Sequence, residues 1–189
     1  MDETTGTLKA IDDLELFTRT WTPESDATRG MLIVHGLAEH SGRWGHVARF
    51  FVDQGYAVTA FDLRGQGQSG GTKGHVRSFG EYLDDVQSVV ESELVRTDLP
   101  WVIYAHSLGG FITASYLGED RPHPDAAVLS APALAGPGLS SIPDFCSPSR
   151  WWSTNSGKNA IRWIKSWRMP SEGPIHPARI SLSSGPASS

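Results

Sequence analysis

Cysteine is nearly missing from this chain of 189 residues: Cys146 is the only one, which excludes an intrachain disulfide. A lone cysteine is compatible with a reducing compartment. No run of 18 apolar residues occurs, so the sequence predicts no membrane-spanning helix. The first segment, "MDETTGTLKAIDDLELFTRT", is acidic and lacks the apolar stretch of a secretory signal. These features set a cytoplasmic location as the expectation, with peripheral contact at the inner membrane face as its extension. Positive charge is also short: 16 Lys and Arg stand against 21 Asp and Glu, a formal net charge of -5, which argues against a nucleic-acid partner. Histidine and cysteine show no ligand spacing, so no metal site is expected. Nothing in the sequence marks a protein partner.

Valine is absent from residues 137–189, a segment rich in serine and proline. Its basic residues are Arg150, Lys158, Arg162, Lys165, Arg168 and Arg179, against the acids Asp144 and Glu172. The remainder of the chain is strongly acidic. This change of character sets a boundary near Gly136, dividing the chain into 1–136 and a divergent 137–189. The second part shows no strand pattern, and one helix is expected over about 159–167.

What is present in 1–136 is an alternation of strands and helices. "TLKAIDDLELFTRTW" reads as two strands joined at Asp12-Asp13. "GMLIVHG", "YAVTAFD", "WVIYAH" and "DAAVLSAP" are apolar runs of strand length. A helix over about 44–54 follows the first of them, with Val47, Phe50 and Phe51 on its inner face and Gly55 past its end. "SFGE" offers a capping box, Ser78 with Glu81, opening a helix to about Arg96. Its inner face holds Phe79, Leu83, Val86, Val90 and Leu94. "GGFITASYL" is the third helix. Continuous apolar strands alternating with helices predict an α/β class: a mostly parallel sheet, helices on both faces, entered through an antiparallel hairpin.

Ligands of such sheets lie beyond the carboxyl ends of the strands. Three segments deliver polar or glycine-rich residues there: His35-Gly36-Leu37, Asp62 to His75, and His106-Ser107-Leu108. Ser107 stands between a strand and a helix, followed by Gly109 and Gly110. Small residues at such a turn let a serine hydroxyl stand out over the sheet edge. The helix start behind it directs backbone N–H groups to the same point. Leu108 N–H is one candidate oxyanion donor and Leu37 N–H the second. His35 is read as a structural residue of that turn, and Asp62 and Arg64 as braces of their loop. Glu39 and His40 are close enough to the mouth to touch a polar head group. "GQGQSGG" lacks the G-K-[ST] ending of a phosphate loop and flanks the oxyanion turn instead.

"VHGLAEHSGRW", "FDLRGQGQSGGTKGHV", "SFGEYLDDV", "YAHSLGG" and "VLSAPAL" occur in an order and spacing that resemble the monoacylglycerol lipase and lysophospholipase branch of the α/β-hydrolase fold, often labelled serine aminopeptidase-like. The resemblance covers about residues 7–136. It implies a serine esterase acting on small lipid esters without a cofactor, Ser107 as nucleophile, and Leu37 and Leu108 as oxyanion donors. Ala105 departs from the branch's usual glycine.

A serine hydroxyl needs a base. In this fold the order is Ser, then Asp or Glu, then His. Asp120, His123 and Asp125 precede a strand and so fall at the wrong end of the sheet. Asp144, Glu172 and His176 remain, with Asp144 and His176 the candidate acid and base. "SEGPIHPARI" matches no histidine motif of the branch. The expectation is therefore a hydrolase core of six strands, incomplete at its C-terminus, with 137–189 standing where the lid and last strands belong, as a frameshift or truncation would leave it. The competing expectation is a non-catalytic chain whose segment "WWSTNSGKNAIRWIKSWRMP" binds membrane surfaces as an amphipathic helix.

Overall fold

The computed structural model describes residues 1–133 and the backbone of residues 162–164. Its strands are β1 (Asp2–Lys9), β2 (Glu15–Thr22), β3 (Arg29–Val34), β4 (Tyr56–Phe61), β5 (Trp101–His106), β6 (Ala126–Ser130) and β7 (Arg162–Ile164). Its helices are α1 (Gly45–Val52), α2 (Gly80–Val89) and α3 (Leu108–Tyr116). The strands form one sheet in the order β1-β2-β4-β3-β5-β6-β7. β1 and β2 form an antiparallel hairpin, β2 runs antiparallel to β4, and the pairs from β4 to β7 are parallel.

Side-chain alternation divides the core between the two sheet faces. Met31, Ile33, Val58, Ala60 and Tyr104 meet Trp21, Trp44 and the α1 residues Val47, Ala48 and Val52. Leu32, Val34, Phe61, Ile103, Ala105 and Leu129 meet α2 and α3 on the other face through Leu83, Val86, Val89, Ile112 and Tyr116. Each fully buried side chain of this size stabilises the fold by about 1.5–3 kcal/mol relative to exposure.

Three local expectations are corrected. On α1 Val47 is buried and Phe51 packs against the core as expected, but Ala48 and Val52 complete the inner face and Phe50 is exposed. Ser78 does not cap α2 with its side chain; the Glu81 carboxylate instead accepts the Arg77 N–H at 2.8 Å, one residue earlier than a capping box requires. Within the segment expected as helix 159–167, residues 162–164 form β7, paired in parallel with Val128–Ser130 of β6. The helix that carried the membrane-surface reading is therefore a strand at those three residues. The expected α2 stripe holds: Leu83, Val86, Val90 and Leu94 are buried and Phe79 packs against them, the last turn continuing as a π turn over Val90–Leu94.

The register gathers the strand ends. Val34 pairs with Phe61 on one side and Ala105 on the other, and His106 pairs with Ser130. His35, Asp62, Ser107 and Ala131 therefore leave the sheet along one edge. Asp125, whose carboxylate accepts the Trp101 N–H at 2.9 Å, lies at the opposite edge. Among the described residues no helix is long and apolar enough to cross a membrane, and no group of His, Cys, Asp and Glu is placed to hold a metal ion.

Candidate active site

Ser107 occupies the turn from β5 to α3 with φ 51° and ψ -115°. A side chain at such φ costs on the order of 1–3 kcal/mol, so neighbouring structure must hold it. Three backbone bonds do. The Ser107 N–H donates to the Ser130 carbonyl at 3.0 Å, and its own carbonyl accepts from Ala133 N–H at 3.0 Å and Phe111 N–H at 3.1 Å. The chain leaving β6 thus grips the serine from the side.

Small residues make the close approaches possible. A Cβ on Gly109 would lie 2.5 Å from the His35 carbonyl oxygen and nearer still to that of Val34. A Cβ on Gly110 would meet that of Pro132 at 2.8 Å. The start of α3 is therefore pressed against the end of β3. Leu108 is the first residue of α3, and its N–H has no acceptor within the helix.

The turn after β3 lies beside the serine: a Cβ on Gly36 would be 3.2 Å from the Ser107 Cβ. Gly36 N–H donates to the Glu39 carboxylate at 3.0 Å, and Glu39 stands 3.6 Å from Arg43. Glu39 thus braces the turn at which the head-group contact is expected. His40 is exposed, as is Leu37 at 64%. His35 is buried at 1% exposure. Its Nδ1 lies 2.7 Å from the Gly36 carbonyl and its Nε2 accepts Leu63 N–H at 3.0 Å. Burial holds this imidazole below its ordinary pKa, against the opposing pull of the Gly36 carbonyl, Asp62 and Glu39.

The glycine-rich loop after β4 is tied to the same turn. The buried Asp62 carboxylate accepts Ser41 N–H at 2.6 Å and Gln68 N–H at 2.8 Å. Arg64, 4% exposed, donates twice to Asp85 at 2.6 Å and also pairs with Asp12 and Glu81. The Asp85 carboxylate, hydrogen-bonded to it, pushes the Arg64 pKa up, whereas burial pushes Asp85 up. Asp62 and Arg64 are thus braces, as the sequence suggests. Asp85 was not legible as their partner, although a carboxylate between Leu83 and Val86 on an apolar stripe is the signal that marks it. The grip of Ser130 and Ala133 on Ser107 is made by backbone atoms and leaves no residue-type signature.

The turn at Gly36 therefore lies beside Ser107, and Leu108 follows Ser107 at the start of α3. Asp144 and His176 lie outside the described residues, as does Glu172.

A parallel sheet with this hairpin, three helices and a strained serine after its fifth strand is an α/β-hydrolase core. A family model described as "Serine aminopeptidase, S33" matches residues 25–180, and the chain belongs to that family. The chain is 38% identical over 117 residues to a monoacylglycerol lipase of Mycolicibacterium smegmatis, covering 60% of this chain and 41% of that protein. It is 34% identical over 128 residues to the monoglyceride lipase of Homo sapiens, covering 67% and 42%. The crystal structure of a soluble variant of monoglyceride lipase from Saccharomyces cerevisiae, in complex with a substrate analog, superposes with a TM-score of 0.61 at 22% identity, covering 70% of this chain and 45% of that one. That likeness speaks for the fold. The chain spans less than half the length of each of these relatives.

Proposed function

We propose that this chain is a serine carboxylic-ester hydrolase of monoacylglycerol lipase or lysophospholipase type, with Ser107 as nucleophile. The observation that carries the reading is the backbone of Ser107, held at φ 51° and ψ -115° by three hydrogen bonds at the shared edge of the parallel strands. A fold retains such strain where it serves a purpose. The lipid-ester class is supported by the lipase relatives.

In the reaction, Ser107 Oγ attacks the ester carbonyl carbon as a base takes its proton. The carbonyl oxygen gains the negative charge, stabilised by the N–H groups of Leu37 and Leu108, each worth roughly 10²–10³ in rate. The C–O bond then breaks, the alcohol leaves with the proton, and water releases the fatty acid from Ser107 by the same steps in reverse roles. His176 is the candidate base and Asp144 the candidate acid. Residues 1–136 would then supply the nucleophile and oxyanion donors, and 137–189 the proton-transfer groups.

The test is hydrolysis of a monoacylglycerol, a lysophospholipid and a short-chain ester by the full chain and by Ser107→Ala, His176→Ala and Asp144→Asn. Loss on the order of 10⁶ in kcat for Ser107→Ala and His176→Ala supports the assignment. Turnover by Ser107→Ala equal to the parent refutes it. Unchanged turnover by His176→Ala removes that residue as base. The extension to a membrane surface is tested by co-sedimentation with lipid vesicles.

A further inference from the structure

We propose that His35 is a positioning residue for the oxyanion donor: a neutral imidazole that latches the Gly36–Leu37 peptide plane and releases it when protonated. The proposal rests on the hydrolase reading above, and its geometry stands apart from activity. The Gly36 carbonyl and the Leu37 N–H belong to one planar trans peptide unit, so they point in opposite directions. Fixing the oxygen fixes the direction of the N–H. The His35 Nδ1 lies 2.7 Å from that oxygen.

The two ring partners allow one protonation state. A carbonyl oxygen only accepts, so Nδ1 must carry a hydrogen. The Leu63 N–H only donates, at 3.0 Å, so Nε2 must be bare. A second proton at Nε2 would set two donors face to face in a site 1% exposed to solvent. The ring or the Leu63 amide would have to move, and with the ring goes the anchor of the Leu37 peptide. Donation into the Gly36 carbonyl also polarises that peptide, which strengthens the Leu37 N–H as a donor.

The latch is anchored at its far end. Leu63 follows Asp62, whose carboxylate holds Ser41 and Gln68 N–H groups. The strand-end loop after β4 and the turn after β3 are thus joined through the ring. The charged and titratable groups facing it are Asp62 from the β4 loop and Glu39 and His40 from its own turn. Asp62 and Glu39 favour the imidazolium and His40 opposes it, but burial dominates and keeps the ring neutral.

The experiment is 15N and 13C NMR of the full chain carrying Ser107→Ala, with the His35 resonances assigned by their loss in His35→Asn. The expected result is the Nδ1–H tautomer at neutral pH. On acidification the ring should titrate below the ordinary histidine range, with the Leu37 and Leu63 amides shifting in the same transition. The Nε2–H tautomer or a charged ring at pH 7 overturns the proposal, as do Leu37 and Leu63 amides that ignore the titration. In the active chain, His35→Leu should lower kcat roughly 10²-fold, the worth of one oxyanion donor, and leave KM within about threefold. His35→Asn, which keeps an N–H near the Gly36 carbonyl, should recover part of that loss. A KM effect with kcat intact would refute the positioning role. If Ser107→Ala still turns over ester, the hydrolase assignment fails while the NMR result continues to decide the latch.

Discussion

Replacing Gly109 by alanine tests the close approach that builds the site. The new Cβ would lie 2.5 Å from the His35 carbonyl oxygen and 2.7 Å from the Val34 carbonyl carbon. Ordinary carbon–oxygen contacts begin near ~3.3 Å, so α3 must retreat from β3 by about 1 Å. Both opposing groups are backbone, and no flexible side chain can yield. Overpacking of this kind costs up to about 3 kcal/mol, offset by about 1 kcal/mol because alanine favours a helix over glycine. The net loss is about 2 kcal/mol, or a fall of about 1 M in the urea midpoint for a denaturant slope of about 2 kcal/mol/M. In the proposed mechanism the same retreat moves the Leu108 N–H away from the oxyanion, and a 1 Å misplacement costs on the order of 10² in rate. Gly80→Ala is the control: its Cβ would meet only Ser78 Oγ at 3.6 Å, an ordinary contact, so stability should hold or rise slightly. Equal urea midpoints for Gly109→Ala and Gly80→Ala would refute the argument.

Ser107→Gly should raise the melting temperature relative to Ser107→Ala, because glycine accepts φ 51° and alanine keeps the strain; a gain of up to about 2 kcal/mol is expected after the entropic cost of glycine. Arg64→Leu leaves the fully buried Asp85 without its partner and should destabilise the fold by about 3–5 kcal/mol in urea titration, whereas the double variant with Asp85→Leu should recover most of that loss. Acid should weaken the hairpin: hydrogen bonds from Arg64 hold Asp12, and one from the Trp21 indole holds Glu3, below their ordinary values of 3.8 and 4.5. Their contribution is therefore present above those values and lost as pH falls below them, so melting temperature should drop there and Asp12→Asn should flatten the profile.

The parallel strands were legible because burial on both faces makes β3, β4, β5 and β6 near-continuous apolar runs, which local composition reports directly. The serine turn was legible for a similar reason: Gly109 and Gly110 are small because the Val34, His35 and Pro132 atoms leave no room. The α1 face was misread at Phe50 because Ala48, buried at 0% exposure, is too small to register as a hydrophobic anchor, and the helix has only two turns in which to show its period. The Ser78–Glu81 capping box failed because the Glu81 carboxylate is drawn to Arg77 and Arg64 instead. β7 could not be read at all. Three residues cannot distinguish a period of two from one of 3.6, and their partner is β6, more than thirty residues away. The bond from Gly36 N–H to Glu39 depends on a turn geometry that sequence does not report.

The proposed oxyanion donors are backbone N–H groups, so no substitution deletes them directly. They can be moved only through what holds them, and what holds them is the register of the sheet. Val34 pairs with both Phe61 and Ala105, which brings His35, Leu63 and Ser107 within reach of one another. A slip of β3 by one residue would carry Gly36 about 3.3 Å along the edge. It would also exchange the two core sets, sending Met31 and Ile33 toward α2 and α3, and Leu32 and Val34 toward α1. The cost of that exchange falls on every buried side chain of the strand at once. Packing at β3 therefore fixes the geometry of the Ser107 turn and its neighbours to a precision that the turn's own few hydrogen bonds could not impose, and the bonds of His35 and Glu39 act within a frame already set by the core.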